Sequence, residues 1–283
     1  MVYLLSFRLP SENDEHWIWC QSSNIHNSDY PLRLFPEKGL TEINCAPITV
    51  LSGANGCGKT TLLRVMGMKL KAEFQHKEEP EEILAAYVDH CDAEVNGHPY
   101  VIRYIASDDV FDVLLEERAI NSGVNRRMEE ISEEYLNSKF SKSILYRSDE
   151  NTIEQLHNQL DARRMSQSKY IRSRLSNGNI VMHSNGETAL AYWEKEIEDK
   201  GLYLLDEPEN SLSPESQLAM KKYIEDSVRF FGCQFVIATH SPFFLALSQA
   251  QVLDMDSTPV QVKDWRELSC IQPYRELFDP EKR

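Results

Sequence analysis

Residues 53–61 read Gly53-Ala54-Asn55-Gly56-Cys57-Gly58-Lys59-Thr60-Thr61, and the fold is decided by what surrounds them. Pro47 to Leu51, just before, is a compact apolar run that predicts a buried parallel strand, and Ser52-Gly53 predicts the turn it feeds. A helix is expected from Lys59 to about Leu70. Strand, glycine turn and helix in that order is the setting in which the pattern GxxxxGK[ST] holds phosphate. Glycines let the backbone curl so that its N–H groups face an anion, and the helix amino terminus adds positive potential. Lys59 can then reach the outer phosphates and Thr60 can offer its hydroxyl to Mg²⁺. Gly53, Ala54, Asn55, Gly56, Cys57, Gly58, Lys59, Thr60 and Thr61 are therefore candidate nucleotide-binding residues. Cys57 invites a redox reading, but a small residue at a variable position accounts for it better.

Downstream, Leu202-Tyr203-Leu204-Leu205-Asp206-Glu207 is an apolar strand ending in two carboxylates with different prospects. Asp206, on the strand, suits a Mg²⁺ shell, whereas Glu207, just beyond it, can polarise an attacking water. A second run, Phe235-Val236-Ile237-Ala238-Thr239, delivers His240 at its carboxyl end, followed by Ser241-Pro242. Doubly wound sheets place ligand-binding groups at that edge, so His240 is expected near the terminal phosphate, positioning the water. Ser184-Asn185-Gly186-Glu187 stands 22 residues before Asp206 and opens a helix running to about Glu196. Its serine can cap that helix and its glycine permits close approach by phosphate.

Phosphate loop, Ser-x-Gly-Glu, Asp206-Glu207-Pro208 and switch histidine, in this order, resemble the ABC ATPase superfamily over essentially the whole chain. The run Asp206-Glu207-Pro208-Glu209-Asn210-Ser211-Leu212-Ser213-Pro214 is similar to soluble AAA-type ATPases related to overcoming-lysogenization-defect and AbiEii-like defence proteins. Transporter subunits usually carry a longer Leu-Ser-Gly-Gly-Gln signature and an aspartate where Ser213 stands. The resemblance implies hydrolysis of ATP with Mg²⁺ in a head-to-tail homodimer. In it, ATP on Gly53 to Thr61 of one copy is closed over by Ser184 and Gly186 of another, with Asn210 to Ser213 at the junction. It also implies a protein effector in trans, in phage defence, toxin control or DNA maintenance. The rival expectation is the energising nucleotide-binding subunit of a membrane transporter.

The fold class expected is thus α/β, a P-loop NTPase of the ABC type with an N-terminal antiparallel β subdomain and a helical insertion. Residues 1–46 form the antiparallel subdomain, 47–108 the P-loop core, 109–183 the helical lobe and 184–283 the signature and switch-histidine core, all within one ATPase domain, 1–283. Strands are expected at Val2 to Phe7, His16 to Cys20 and Leu32 to Phe35. Two family features have no evident counterpart. The glutamine after the second core strand is replaced by Ala106-Ser107-Asp108-Asp109, where an aspartate near Mg²⁺ competes with solvated carboxylates at a helix start. For the adenine-stacking aromatic, Trp17, Trp19, Tyr30 and Phe35 are available, and core packing is the blander role for each.

A net charge of −15, from 45 acidic against 30 basic residues, makes the average surface repel nucleic acid and anionic membranes. Arg163, Arg164, Lys169, Arg172 and Arg174 reverse that charge locally, which fits either an anionic partner, nucleic acid included, or a solvated helix face. Six cysteines lie scattered without a CxxC pair, and no run approaches the roughly 18 apolar residues of a membrane span. A cytoplasmic protein with no membrane segment of its own is expected.

Overall fold

The computed structural model describes residues 2–21, 29–76, 81–140, 161, 170, 185–210 and 212–278. In chain order, the first half holds β1 (Leu4–Arg8), α1 (Glu12–Gln21), β2 (Glu42–Asn44), β3 (Ile48–Ser52), α2 (Lys59–Lys69), β4 (Glu73–Phe74), α3 (Glu82–His90), β5 (Asp92–Val95), β6 (Ile102–Ala106) and α4 (Ser107–Phe140). The second half holds α5 (Asn185–Glu196), β7 (Leu202–Asp206), α6 (Pro214–Phe230), β8 (Gln234–Ala238), α7 (Pro242–Leu245), β9 (Gln251–Asp254), β10 (Gln261–Val262) and α8 (Gln272–Phe278). The chain divides into two compact units, residues 1–111 with 185–283, and residues 112–184.

The larger unit is built on a seven-stranded sheet in the order β10-β9-β3-β8-β7-β6-β4. All its pairings are parallel except that of β10 with β9. β3, β7 and β8 are buried along every residue, which is why each reads as an unbroken run rather than an alternation. Parallel pairing also aligns their ends. Leu51 and Asp206 both stand opposite Ala238, so the segments that follow β3, β7 and β8 leave the sheet at one edge. α2 lies against this sheet with Leu62, Leu63, Val65 and Met66 fully buried, in one core with Phe7, Phe35 and Tyr87. Four side chains of that size contribute roughly 1.5 to 3 kcal/mol each on burial, enough to fix where the helix begins.

The antiparallel subdomain departs from its expected composition. Its three-stranded sheet is β2-β1-β5, with β1 antiparallel to both neighbours. His16 to Cys20 is not a strand but lies in α1, and Leu32 to Phe35 is a turn. The alternation of Trp17-Ile18-Trp19 suggested a strand, yet Ser11 and Asp14 close a reciprocal cap around the start of α1. Ser11 N donates to Asp14 Oδ2 at 2.9 Å and Asp14 N to Ser11 Oγ at 3.3 Å. Ile18 is then buried while both tryptophans stay half exposed. The third strand comes from the polar segment Asp92–Val95, far along the chain.

Among the described residues, two side chains join the two sheets: Gln251 on β9, whose Nε2 donates to Asn44 O on β2 at 2.8 Å, and Gln234. Gln234, fully buried at the start of β8, accepts from Tyr3 N and Leu4 N, each at 2.8 Å, through Oε1. Its Nε2 donates to Leu4 O at 2.9 Å and Ala46 O at 3.0 Å. In the smaller unit, Ile131, Tyr135 and Tyr170 form a buried cluster with the two tyrosine rings edge to face at 5.2 Å. The basic segment from Arg163 to Arg174 and Ser184 lie outside the described residues.

Candidate active site

The loop from Gly53 to Gly58 passes from β3 into α2 through conformations that explain its glycines. Gly56 has φ +79° and Gly58 φ +101°, where a side chain is strained. A Cβ on Gly58 would also sit 3.0 Å from Leu34 Cδ2, so the loop has no room for one there. Asp256, beyond β9, fixes the loop's first turn, since Ala54 N donates to its carboxylate with 2.9 Å to each oxygen. Cys57 is buried with its Sγ 3.8 Å from Lys59 Nζ, as expected of a small packed residue.

Lys59 is 4% exposed, and its ammonium donates to Gly53 O at 2.9 Å and Ala54 O at 3.1 Å. It also lies 3.0 Å from His240 Nε2. An ammonium can only donate, so this ring nitrogen accepts and the neutral ring carries its proton on Nδ1. His240 Nε2 is 3.7 Å from Glu207 Oε1. Loop lysine, switch histidine and the carboxylate beyond β7 thus meet at one edge of the sheet.

Asp206 and Thr60 face each other directly, Thr60 Oγ1 donating to Asp206 Oδ1 at 3.1 Å. The second oxygen, Oδ2, accepts from Tyr104 OH at 3.0 Å, a contact from β6. Burial pushes the Asp206 carboxyl up to about 6, and neighbouring Glu207 adds to the rise. The two hydroxyl hydrogen bonds and the Lys59 charge pull the other way. Glu207 sits at φ +49°, an uncommon conformation that turns the chain out of the strand. Its Oε2 accepts from Asn210 Nδ2 at 2.9 Å, and Asn210 Nδ2 also reaches Ser107 Oγ at 3.3 Å.

An open pocket of about 360 Å³ lies over this edge, lined by Tyr30, Asn55, Gly56, Gly58, Lys59, Thr60, Thr61 and Glu207. Tyr30 is half exposed and its hydroxyl bonds Thr61 Oγ1. Phe35, by contrast, is wholly buried, and Trp17 packs on His90 at 5.2 Å. Of the four candidate aromatics, Tyr30 is the one at the pocket. Gly186 lies in the first turn of α5.

The segment Ala106 to Asp109 divides: Asp108 is a solvated carboxylate at a helix start and Asp109 is not. Asp108 is exposed, whereas Asp109 is 6% exposed rather than solvated. Asp109 Oδ2 accepts from Ala106 N at 2.8 Å at the start of α4, and Oδ1 meets His76 Nδ1 at 3.1 Å. Its role is to cap a helix.

Sequence reasoning missed Tyr104, Asp256 and Glu209. Glu209 accepts from His240 N at 2.6 Å, Ser241 N at 3.1 Å and Thr239 Oγ1 at 2.7 Å. Three acids within Asp206-Glu207-Pro208-Glu209, set beside an apolar strand ending in Thr-His-Ser, were the only signal for it.

Thr60 and Asp206 offer one hydroxyl and one carboxylate, the hard-oxygen pair that suits Mg²⁺ completed by water and phosphate oxygens. Among the described residues, no group of three or more His, Cys, Asp or Glu is placed to hold a metal alone. The ABC transporter family matches residues 40–210, more than half of the chain, and the chain belongs to that family of ATP-binding, ATP-hydrolysing, Mg²⁺-using P-loop domains. Among solved structures it is similar to the SMC head domain from Thermotoga maritima, with 13% identity over 93% of this chain and 98% of that one, TM-score 0.39. Stu0660 of Streptococcus thermophilus shares 15% identity over 79% and 72%, TM-score 0.40. The Smc head domain of Pyrococcus furiosus bound to the C-terminal domain of ScpA shares 13% over 98% and 99%, TM-score 0.40. Likeness at this level adds nothing on function to the family match. Comparison with curated proteins gives no match. No helix among the described residues is long and apolar enough to cross a membrane.

Proposed function

We propose that the chain hydrolyses ATP at the pocket over Gly53 to Thr61 and does so as a two-copy sandwich that gates a partner. The observation that carries this is the meeting of Lys59, Thr60, Asp206, Glu207 and His240 at the carboxyl edge of β3, β7 and β8. In the structure the Lys59 ammonium is held by two loop carbonyls and His240. Phosphate oxygens are stronger acceptors and draw it to the β- and γ-phosphates. Loop N–H groups and the start of α2 hold the remaining phosphate charge. Thr60 and Asp206 would hold Mg²⁺, which would supply neutralisation of phosphate charge there. Tyr30 is the aromatic that stacks on adenine.

Glu207 accepts a proton from the water whose oxygen attacks the γ-phosphorus, while the bond to the β-phosphate oxygen breaks and ADP leaves. His240, released from Lys59, turns its Nε2 to the γ-phosphate region and orients that water. Ser184 and Gly186 of a second copy close over the same nucleotide. Their helix start offers N–H groups to the γ-phosphate. The gated partner acts in phage defence, toxin control or DNA maintenance, a role supported by the resemblance of Asp206 to Pro214 alone. An energising role in transport is less well supported, because a coupling glutamine is missing where Ala106 to Asp109 stands and Asp109 is committed to capping α4.

The test combines two inactive proteins. ATP, and not ADP, should drive Glu207→Gln protein from monomer to dimer in sedimentation, because the γ-phosphate bridges the copies. Mixing Lys59→Ala with Ser184→Arg should restore part of the ATPase activity through heterodimers that carry one intact composite site. If a verified mixed dimer stays inactive, or the wild type hydrolyses ATP as a strict monomer at every concentration, the sandwich is wrong.

A further inference from the structure

We infer that Glu209 is a positioning residue that fastens the switch histidine to the loop carrying the catalytic carboxylate, so that Glu207 and His240 move as one body. This rests on the reading of Glu207 as base and His240 as γ-phosphate contact, and adds the element that sets their spacing.

β7 and β8 are neighbours, but the residues that act lie beyond them, where the ladder no longer holds the chain. The last register pair is Asp206 with Ala238, and one further bond, Glu207 N to Ala238 O at 2.9 Å, closes the sheet. Past it, Thr239 to Ser241 bends away toward α7, whose amino end Ser241 Oγ caps by accepting from Phe243 N at 3.1 Å. A bent loop leaves backbone N–H groups facing inward with no strand to receive them. Glu209 supplies the acceptors. One carboxylate oxygen takes His240 N and Ser241 N and the other takes the Thr239 hydroxyl. The hydroxyl in turn accepts from Ser241 N at 2.9 Å, closing the network on itself.

The other end of this clamp is as firmly set. Glu209 stands two residues after Glu207, and Asn210 next to it bonds both Glu207 and Ser107. The five-residue turn from Asp206 to Asn210 therefore carries the Mg²⁺ carboxylate, the base, and the side chain that holds the switch. A charge-assisted bond to a main-chain N–H is short and strong, and the 2.6 Å contact is to the amide of His240 itself. It fixes the backbone from which the imidazole projects without engaging either ring nitrogen. Glu209 has no place in the pocket lining, so its effect is exerted through His240.

The experiment compares Glu209→Ala and Glu209→Gln with the wild type and His240→Ala. In the nucleotide-free protein, amide hydrogen exchange should show His240 and Ser241 losing protection in Glu209→Ala while β8 keeps it. Glu209→Gln should retain most of that protection, because its carbonyl still accepts both amides. Turnover should fall on the order of 10- to 100-fold in Glu209→Ala, with ATP affinity by calorimetry within about 3-fold, since ground-state phosphate contacts come from the loop. The double variant Glu209→Ala/His240→Ala should be no slower than His240→Ala alone. Unchanged exchange at 240–241 in folded Glu209→Ala, or a double variant slowed by the product of the two single effects, would overturn the assignment. If Glu209→Ala fails to fold, Thr239→Val removes one of the three bonds and must show a partial loss of the same protection. A wild type without ATPase activity would sink the proposed function alone, because the exchange measurement stands without turnover.

Discussion

In the seven-stranded sheet β3, β7 and β8 are buried along every residue, whereas in the three-stranded sheet β1 is buried only at Leu4 and Phe7 and β2 and β5 are mostly exposed. The first sheet is assembled from mostly apolar runs whose register sets where the chemistry lies, and β3, β7 and β8 each lead at their carboxyl end into a segment of the candidate site. The second is assembled from short polar strands that are distant in sequence and carry none of the site residues. It meets the first through Gln251 on β9 and, with four bonds, through Gln234 at the end of β8 opposite His240. Burial on both faces thus makes a strand both legible and able to hold a site, while a strand buried on one face is defined by its partners.

The largest effect expected from this contrast is at the joint. Replacing Gln234 with Leu leaves two N–H groups and two carbonyls buried without partners, which costs on the order of 3 to 6 kcal/mol. Denaturant unfolding measures it, and a loss below about 1 kcal/mol would mean that the small sheet is held by its apolar contacts instead. A smaller effect is expected within the large sheet. Tyr104→Phe removes the bond from β6 to Asp206 Oδ2, costing about 1 to 2 kcal/mol, and should raise the Mg²⁺ concentration needed for half-maximal turnover several-fold while ATP binding without metal is unchanged. Equal Mg²⁺ dependence in both proteins would remove Tyr104 from the site.

The smallest effect is a slope. Asp206 is raised to about 6 by burial, so between an ordinary carboxylate value near 4 and 6 the folded chain keeps a proton that the unfolded chain has released. Its contribution to stability therefore falls as pH rises through that window and is constant above it. Nucleotide-free Asp206→Asn should lose this component and show a flatter decline from pH 4 to 6 in equilibrium unfolding. An unaltered slope would place the proton elsewhere, Glu15 being the other carboxyl that burial raises.

Much of the large sheet was legible because a buried parallel strand must be apolar along its length, and Pro47 to Leu51, Leu202 to Asp206 and Phe235 to Thr239 each are. What stayed hidden depends on distance along the chain. Asp256 reaches Ala54 across 202 residues and Tyr104 reaches Asp206 across 102, so no local pattern announces either. His16 to Cys20 misled because residue type alternates there while the helix cap sits earlier, at Ser11 and Asp14. β5 was missed because Asp92-Ala93-Glu94-Val95 is stabilised by pairing with β1 and has little apolar character to show. For Asp109 the sequence offered a place near Mg²⁺ or a solvated helix start, and only the fold reveals that His76 and the Ala106 amide enclose it.

The central claim is that Lys59 and Glu207, which share one pocket, act on different states of the nucleotide. Calorimetric ATP binding and phosphate release on Lys59→Ala and Glu207→Gln test it most directly. Lys59→Ala should lose ATP affinity on the order of 100-fold, because it removes charge that faces phosphate in the ground state. Glu207→Gln should bind ATP within a few-fold of wild type and lose turnover by roughly 10²- to 10⁴-fold, because it removes the acceptor for the water's proton. Hydrolysis by Glu207→Gln at the wild-type rate, or equal loss of ATP affinity in both variants, would contradict the account.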